Sequence, residues 1–319
     1  MIAGQRALVT GAGGFVGRHI VAAALRAGWA VVAADWAFDP DLRATWAELP
    51  AERLTLVEGD LASLPPLAVE AVVHAAAVTA GPDESGQMPE ENFRANLEPA
   101  LAVLAWAARQ GVRRTVLLSS SAVFRATRPG LVDETLPPSP YGLYAVAKLA
   151  LEGLAETLRG QHGRDVIAAR LSNLYGPGEI ARPTRPRLSL VGRMVRDAVE
   201  RGAVAVYQDE PPRDWTFVPD VGEAIVRLLE CPALRHALYH VAAGQVLAPG
   251  DIAATIRQML PGVRVEWKAG PEPGATPLTR QGTLVSERLR AETGFAAWTP
   301  FANGLQQVID WHLDREVVR

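Results

Sequence analysis

The stretch that most constrains this chain is Thr10-Gly11-Ala12-Gly13-Gly14-Phe15-Val16-Gly17, which separates a strand-like run from a helix-like one. Ala7, Leu8 and Val9 read as a short buried strand, while His19, Val21, Ala24 and Leu25 recur at helical spacing until about Gly28. Gly11 can take the angles of a tight turn, Gly14 lets a pyrophosphate approach the backbone, and Gly17 lets helix and strand pack closely. The helix start then presents unpaired N–H groups and the positive end of its dipole to an anion. A glycine-rich turn alone binds nothing in particular, but Asp35 closes the next apolar run, where a carboxylate can accept hydrogen bonds from an adenosine ribose. Trp36 and Ala37 beside it offer no guanidinium for a ribose 2′-phosphate, so NAD is expected in preference to NADP.

The apolar runs Ala30 to Ala34, Leu54 to Val57, Ala71 to Ala77, Thr115 to Ser119 and Val166 to Leu171 read as buried parallel strands. Helix-length segments alternate with them, notably Glu90 to Arg109 and Tyr141 to Arg159. That alternation predicts an α/β fold with a doubly wound parallel sheet, the Rossmann arrangement, over residues 1–172, with 212–240 returning to it. After Asn173 the texture changes. Proline and arginine crowd Gly176 to Arg187, a helix is expected from Leu188 to Arg201, and prolines recur at 211, 212, 271, 273 and 277. Residues 173–211 and 241–319 are expected to form a smaller substrate lobe over the sheet edge where strands end, the place such sheets bind ligands.

Tyr144 and Lys148 stand four apart on an expected helix, which puts them on one face. A phenol is a poor base at neutral pH, and a neighbouring ammonium favours its ionised form. The lysine could also hydrogen-bond a nicotinamide ribose. The same spacing equally suits a surface lysine beside a half-buried tyrosine. Ser119-Ser120-Ser121 end the strand that begins at Thr115, at the same sheet edge as the glycine loop, where a serine could hold a substrate oxygen or merely cap a turn. Together with a dinucleotide site, the three residue types supply what hydride transfer at a secondary alcohol requires.

Composition excludes several other classes. The chain has 319 residues, 32 basic against 35 acidic, and a formal charge of −3, so a strongly basic nucleic-acid binder is excluded. Its tryptophans, among them Trp29, Trp36 and Trp106, are not interleaved with basic residues. The six histidines show no metal-ligand spacing, and the single cysteine, Cys231, forbids an intrachain disulfide and lacks an evident activating neighbour. No metal, no membrane partner and a cytoplasmic location are expected, since the apolar stretches fall short of the roughly 20 residues that span a bilayer.

Taken in order, these motifs resemble the extended branch of the short-chain dehydrogenase/reductase family, the NAD-dependent sugar epimerase/dehydratase group. The glycine loop matches, as do Gly59-Asp60-Leu61, His74-Ala75-Ala76-Ala77, Phe93 with Asn96, Ser119 to Phe124, Tyr144 to Lys148, Arg170 to Gly178, Arg213 to Val221 and Tyr239-His240-Val241. The resemblance implies Tyr144 as acid/base, Lys148 as its partner and Ser120 as the catalytic hydroxyl, with Ser121 the close competitor. It implies a cofactor site made of Gly11, Gly14, Phe15, Val16, Gly17, Asp35 and Trp36, with Asp60 and Leu61 at the adenine and Ala75, Ala76 and Ala77 on the phosphate side. Asn96 would serve cofactor and scaffold, Ser172 would lie beside the nicotinamide, and Asn173 and Arg213 would touch substrate, the arginine through an anion. Relatives dimerise through two helices, so a homodimer is expected.

Three departures bear on the reaction. The Asp-Glu pair that performs elimination in dehydratases is replaced by Ser121 and Ala122, Gln208-Asp209-Glu210-Pro211-Pro212 replaces a glycine-rich segment before the arginine, and Phe124-Arg125 replaces a Tyr-Gly. Simple dehydration is disfavoured. The expected activity is NAD-dependent oxidation or epimerisation at a secondary alcohol carbon of a sugar, with a nucleotide sugar as the leading substrate. Oxidation of a free sugar acid is the alternative, favoured by the altered segment before Arg213 and by Arg182, Arg185 and Arg187, which could clamp substrate, Arg182 in particular, or simply lie in a solvated loop. A dinucleotide-binding sensor without chemistry is the third.

Overall fold

In chain order the first half gives β1 (Arg6–Thr10), α1 (Gly17–Arg26), β2 (Ala30–Asp35), α2 (Pro40–Ala47), β3 (Leu54–Glu58), β4 (Ala71–His74), α3 (Pro82–Ser85), α4 (Pro89–Arg109) and β5 (Arg114–Ser120). These come from a computed structural model that describes residues 5–47, 49–124, 130–272 and 282–317. Arg125, Pro273 and Pro277, singled out in the sequence, lie outside the described residues. The chain continues through β6 (Leu131–Val132), α5 (Leu143–His162), β7 (Asp165–Leu171), β8 (Asn173–Tyr175), α6 (Leu190–Arg201), β9 (Ala203–Tyr207), β10 (Arg213–Phe217), α7 (Val218–Glu230) and β11 (Leu238–Val241). It ends with β12 (Gln245–Leu247), α8 (Pro249–Met259), β13 (Arg264–Lys268), β14 (Thr283–Leu284), α9 (Glu287–Thr293) and α10 (Phe301–Val317).

Seven strands form one sheet in the order β11-β7-β5-β4-β1-β2-β3, and every pairing is parallel. Parallel strands need both faces covered, and the side-chain alternation shows how this is met. Ala7, Val9, Val31, Ala33 and Val73 face one core with α1 and α7, whereas Leu8, Val32 and Val72 face another with Val103, Trp106 and Ala107 of α4. Helix α5 covers Leu117 and Ala168 on that second side through Leu151 and Ala155.

Contact between α1 and α7 is close because it is built from small residues: a Cβ on Gly222 would run into the His19 carbonyl. The alanine run beginning at Ala71 stops being a strand at His74, and Ala75 continues only as far as donating its N–H to the Thr10 carbonyl. Ala75 to Ala77 thereby turn along the ends of the strands. Helix α5 starts at Leu143, later than the spacing suggested, because Gly142 before it holds a φ of 89° that helices exclude.

The return to the main sheet begins at α7. The preceding strand β10 pairs instead with β8 and β12 in a separate three-stranded sheet. That sheet, α6, α8 and α10 share a second core around Tyr175, Trp215, Phe217, Ile252 and Leu305. The proline-rich half therefore does carry strands, all short and all outside the central sheet except β11.

Candidate active site

A cavity of about 560 Å³ opens where β1, β4, β5 and β7 end. Gly11, with a φ of 67°, has Ala75 and Ala76 where a side chain would stand, and a Cβ on Gly17 would collide with the Gly11 carbonyl. Both are packing requirements of the turn. Asp35 ties the turn to the next strand: its Oδ2 accepts the Gly13 N–H and its Oδ1 the Trp36 N–H, each at 2.8 Å. Arg18, in the first turn of α1, folds back to donate to the carbonyls of Gly13 (3.1 Å) and Gly14 (3.3 Å). Burial and nearby Arg182 push its guanidinium down to about 10, so it stays charged at neutral pH. This turn, a glycine cradle without Cβ atoms at Gly11, Gly13 and Gly14 and set at a helix start, fits a dinucleotide pyrophosphate.

At the other end of the cavity stand the catalytic candidates. The Ser120 hydroxyl is near enough to Tyr144 to lower its phenol, and its Oγ accepts the Ala122 N–H at 3.2 Å. Ser119 is committed elsewhere, donating to Glu152 at 2.6 Å, and Glu152 is in turn paired with buried Arg170. Of the three serines, Ser120 is thus the one that meets the phenol, while Ser121 lines the wall beside it. Lys148 is buried, not on the surface: its Nζ donates to the Leu118 carbonyl at 2.9 Å and lies 5.6 Å from the Tyr144 ring centroid.

Burial pushes the lysine down to about 8, and burial also raises the Tyr144 phenol, against the nearby Ser120 hydroxyl and the positive charge of Arg185, which lower it. A cationic nicotinamide in the same pocket would lower the phenol further. Behind this face, His74 is held neutral by burial, with its pKa near 3, and its Nδ1 bonds the Thr10 hydroxyl at 2.8 Å, so it is a core group.

The lobe side brings arginines. Residues 182–185 make a tight antiparallel turn, and the Thr184 carbonyl accepts the N–H groups of Thr79 (2.8 Å) and Ala80 (3.2 Å), so this turn bridges to the loop after β4. Arg185 lies 5.2 Å over the Phe15 ring and pairs with buried Glu179. Arg187 pairs with Glu84 on α3. Arg182 was expected at the substrate. It lines the cavity, stands 3.9 Å from Asp39 and acts electrostatically on Asp35 and Arg18, at the glycine-loop end. Arg213 pairs with Glu210, and Arg193 with Glu272.

Gly11, Gly14, Phe15, Val16, Asp35, Trp36, Asp60, Leu61, Ala75, Ala76 and Ala77 all line the cavity, as do Ser120, Ser121, Tyr144, Lys148, Ser172, Asn173, Arg182 and Arg213. Two expected cofactor residues do not. Gly17 packs under the loop, and Asn96 spends its amide on both backbone groups of Val78, 2.9 Å each way, which makes it a brace for the loop rather than a contact in the cavity. Arg18, Arg193 and Trp215 also line the wall and were not singled out as site residues. A signal for Trp215 was present, since it shares a strand face with Arg213 two residues earlier.

The sequence profile of the NAD dependent epimerase/dehydratase family matches residues 7–242, from β1 to the end of the main sheet. The chain belongs to this family. It is an NAD-dependent enzyme of the extended short-chain dehydrogenase/reductase type. Among family relatives, a dTDP-glucose 4,6-dehydratase of Streptomyces niveus is 28% identical, over 97% of this chain and 93% of its own. A GDP-6-deoxy-D-mannose reductase of Pseudomonas aeruginosa is 32% identical, over 76% and 75%. Among solved structures, MoeE5 in complex with UDP-glucuronic acid and NAD superposes with a TM-score of 0.81 at 27% identity, over 98% of this chain and all of that one. MoeE5 therefore shares this fold from end to end, and NAD is the cofactor the cradle fits.

Proposed function

We propose that the enzyme oxidises a secondary alcohol carbon of a sugar, with a nucleotide sugar as substrate, and acts as an epimerase or a dehydrogenase according to the fate of the ketone. The observation that carries this reading is the convergence of Tyr144, Ser120 and Lys148 on one cavity with the glycine cradle. Bound NAD supplies the hydride acceptor. Ser120 orients the substrate hydroxyl, Tyr144 takes its proton, and Lys148 holds positive charge beside the phenol while anchored to Leu118. Asp35 and the glycine loop bind the adenosine and pyrophosphate, Asp60 and Leu61 flank the adenine, Ser172 lies by the nicotinamide, and Asn173 and Arg213 face the substrate. The nucleotide-sugar assignment is supported by the names of the relatives.

Free sugar acids are a second reading, favoured by one observation. Arg213 and Arg193, cations at the lobe end, are already paired with Glu210 and Glu272, which leaves less net positive charge there than a doubly charged diphosphate calls for and suits a singly charged carboxylate better. Turnover with added NAD, using UDP-glucose, UDP-glucuronate and glucuronate, separates the cases: a dehydrogenase accumulates NADH with product, an epimerase converts sugar without it. Tyr144→Phe should keep NAD binding and lower turnover by about 10²–10⁴. Unchanged turnover would remove Tyr144 from the reaction, and turnover of no sugar at all would leave the sensor reading.

We also read residues 1–172 with 218–240 as the cofactor-binding part and 173–217 with 241–319 as the substrate lobe, 212–217 passing to the lobe because β10 shares its sheet and core. The enzyme is further proposed to be a cytoplasmic homodimer joined through α4 and α5, where Leu101 and Val146 are exposed. Its mass by light scattering, 34.2 kDa per chain, tests that. Among the described residues no helix is long and apolar enough to cross a membrane.

A further inference from the structure

Two neighbouring donors on the lobe wall have no acceptor among the described residues. Trp215 is 1% exposed, its Nε1 has no hydrogen-bond partner among the described residues, and it lines the cavity. The Nε of Arg213 is in the same condition, because the pairing with Glu210 runs through Nη2. A buried N–H left without an acceptor costs about 1–3 kcal/mol, and such groups are rare unless a ligand or water completes them.

Strand geometry makes the two a pair. Residues 213 and 215 of β10 project from the same face, and Asp214 between them projects from the other, where its Oδ2 accepts the Leu284 N–H at 2.9 Å. The register of β10 on β8 sets Trp215 directly beside Asn173, two residues past the end of β7 and thus close to the catalytic end of the cavity. Indole carbons of Trp215 pack in the lobe core with Tyr175, Leu190 and Met194, which fixes the ring and so aims its N–H. A rigid donor with a buried charged donor two residues away suits an oxygen that carries negative charge.

We propose that Trp215 is a substrate-positioning residue: its indole N–H, together with Arg213 Nε, receives an anionic oxygen of the substrate. This rests on the reading of the cavity as a sugar site. The same chemistry comes from a phosphate of a nucleotide sugar or from the carboxylate of a sugar acid. Because both donors are held by β10, they set how far the anion lies from the carbon facing Tyr144, and so which carbon is oxidised.

Trp215→Phe keeps an aromatic ring in the core and removes only the N–H. Binding of UDP and of glucuronate to the NAD-loaded enzyme would be measured by calorimetry for parent and variant, alongside NAD affinity and melting temperature. Expected is a loss of about threefold to a hundredfold in affinity for one of the two probes, with NAD affinity unchanged. Loss confined to UDP assigns the phosphate; loss confined to glucuronate assigns the carboxylate. In enzyme labelled with ¹⁵N-tryptophan, the indole resonance missing from the variant should move when that probe is added to the parent, which a purely packing role would not produce. Equal affinities in parent and variant, an unmoved indole resonance, or failure of both probes to bind overturns the proposal. If Trp215→Phe melts early, the resonance in the parent decides alone. Binding is read without turnover, so an enzyme that binds a probe through Trp215 but never oxidises a sugar would refute the proposed function and leave this inference standing.

Discussion

Lys148 approaches Tyr144 from within the protein: its ammonium lies 5.6 Å from the tyrosine ring centroid and donates to the Leu118 carbonyl at the end of β5. Helical spacing brings the two together, but the sheet behind them removes water from the lysine, and burial pushes it down to about 8. The cation proposed to serve Tyr144 is therefore held at a cost to the fold.

That cost has a sign and a pH window. Below about pH 8 the folded lysine is charged and buried, while the unfolded chain keeps its proton up to an ordinary value of about 10.4. Between those values the unfolded state binds more protons, so this group's contribution to stability rises with pH there. Lys148→Met removes the buried charge. At pH 7 it should stabilise by about 1–3 kcal/mol after the lost bond to Leu118 is offset, with the gain shrinking as pH approaches 10, while turnover collapses. Urea titrations at pH 7 and pH 10 check it; a variant less stable at both would show that the ammonium is well satisfied.

The positive charge of Arg185 lowers the Tyr144 phenol, against the larger effect of burial. Arg185→Gln withdraws that positive charge. The basic inflection that marks Tyr144 ionisation in kcat/KM should move to higher pH, because the phenolate is then less favoured. The profile of the parent, recorded beside it, supplies the reference. A shift downward, or none, would place the Arg185 charge too far away to matter.

Much of this site was legible in the sequence because glycine, aspartate and tyrosine–lysine signals act locally. The glycine loop, Asp35, Ser120, Tyr144 and Lys148 belong to a turn, a strand end and one helical face, each set by near neighbours. What was not legible depends on distant chain segments. Arg182 stands at the glycine-loop end because the 182–185 turn hooks through Thr184 onto Thr79 and Ala80, a pairing that no local pattern announces. Asn96 braces Val78 for a similar reason. Likewise Glu210 and Glu272 neutralise Arg213 and Arg193 across loops whose composition reads only as irregular.

Asp35 holds the glycine turn as well as lining the proposed cofactor site. Both of its oxygens accept backbone N–H groups, from Gly13 and Trp36, so the carboxylate fixes the shape of the glycine turn before any ribose arrives. Asp35→Ala should weaken NAD by about ten- to a hundredfold, the range for hydrogen bonds to a charged group, and NADP by less, since the charge that repels a 2′-phosphate is gone. Fluorescence titration with both reduced cofactors measures this. Equal losses would confine Asp35 to holding the turn.

Two glycines at helical positions should respond to alanine in opposite directions. Gly17 opens α1 with the Gly11 carbonyl and Ala12 Cα where its Cβ would stand, both of them backbone atoms that cannot swing aside. Gly17→Ala must part the helix from the turn, a cost of about 1–3 kcal/mol or more, and because the parted atoms are those of the cradle, NAD should bind more weakly in whatever folds. Gly153, inside α5, has nothing within 4 Å of the place a methyl group would take, so Gly153→Ala should gain up to about 1 kcal/mol from helix propensity and leave NAD affinity alone. Denaturation midpoints and NAD affinities of the two variants, compared with the parent, test the pair. Matching behaviour at both positions would mean that the close approach at Gly17 is not what builds the turn.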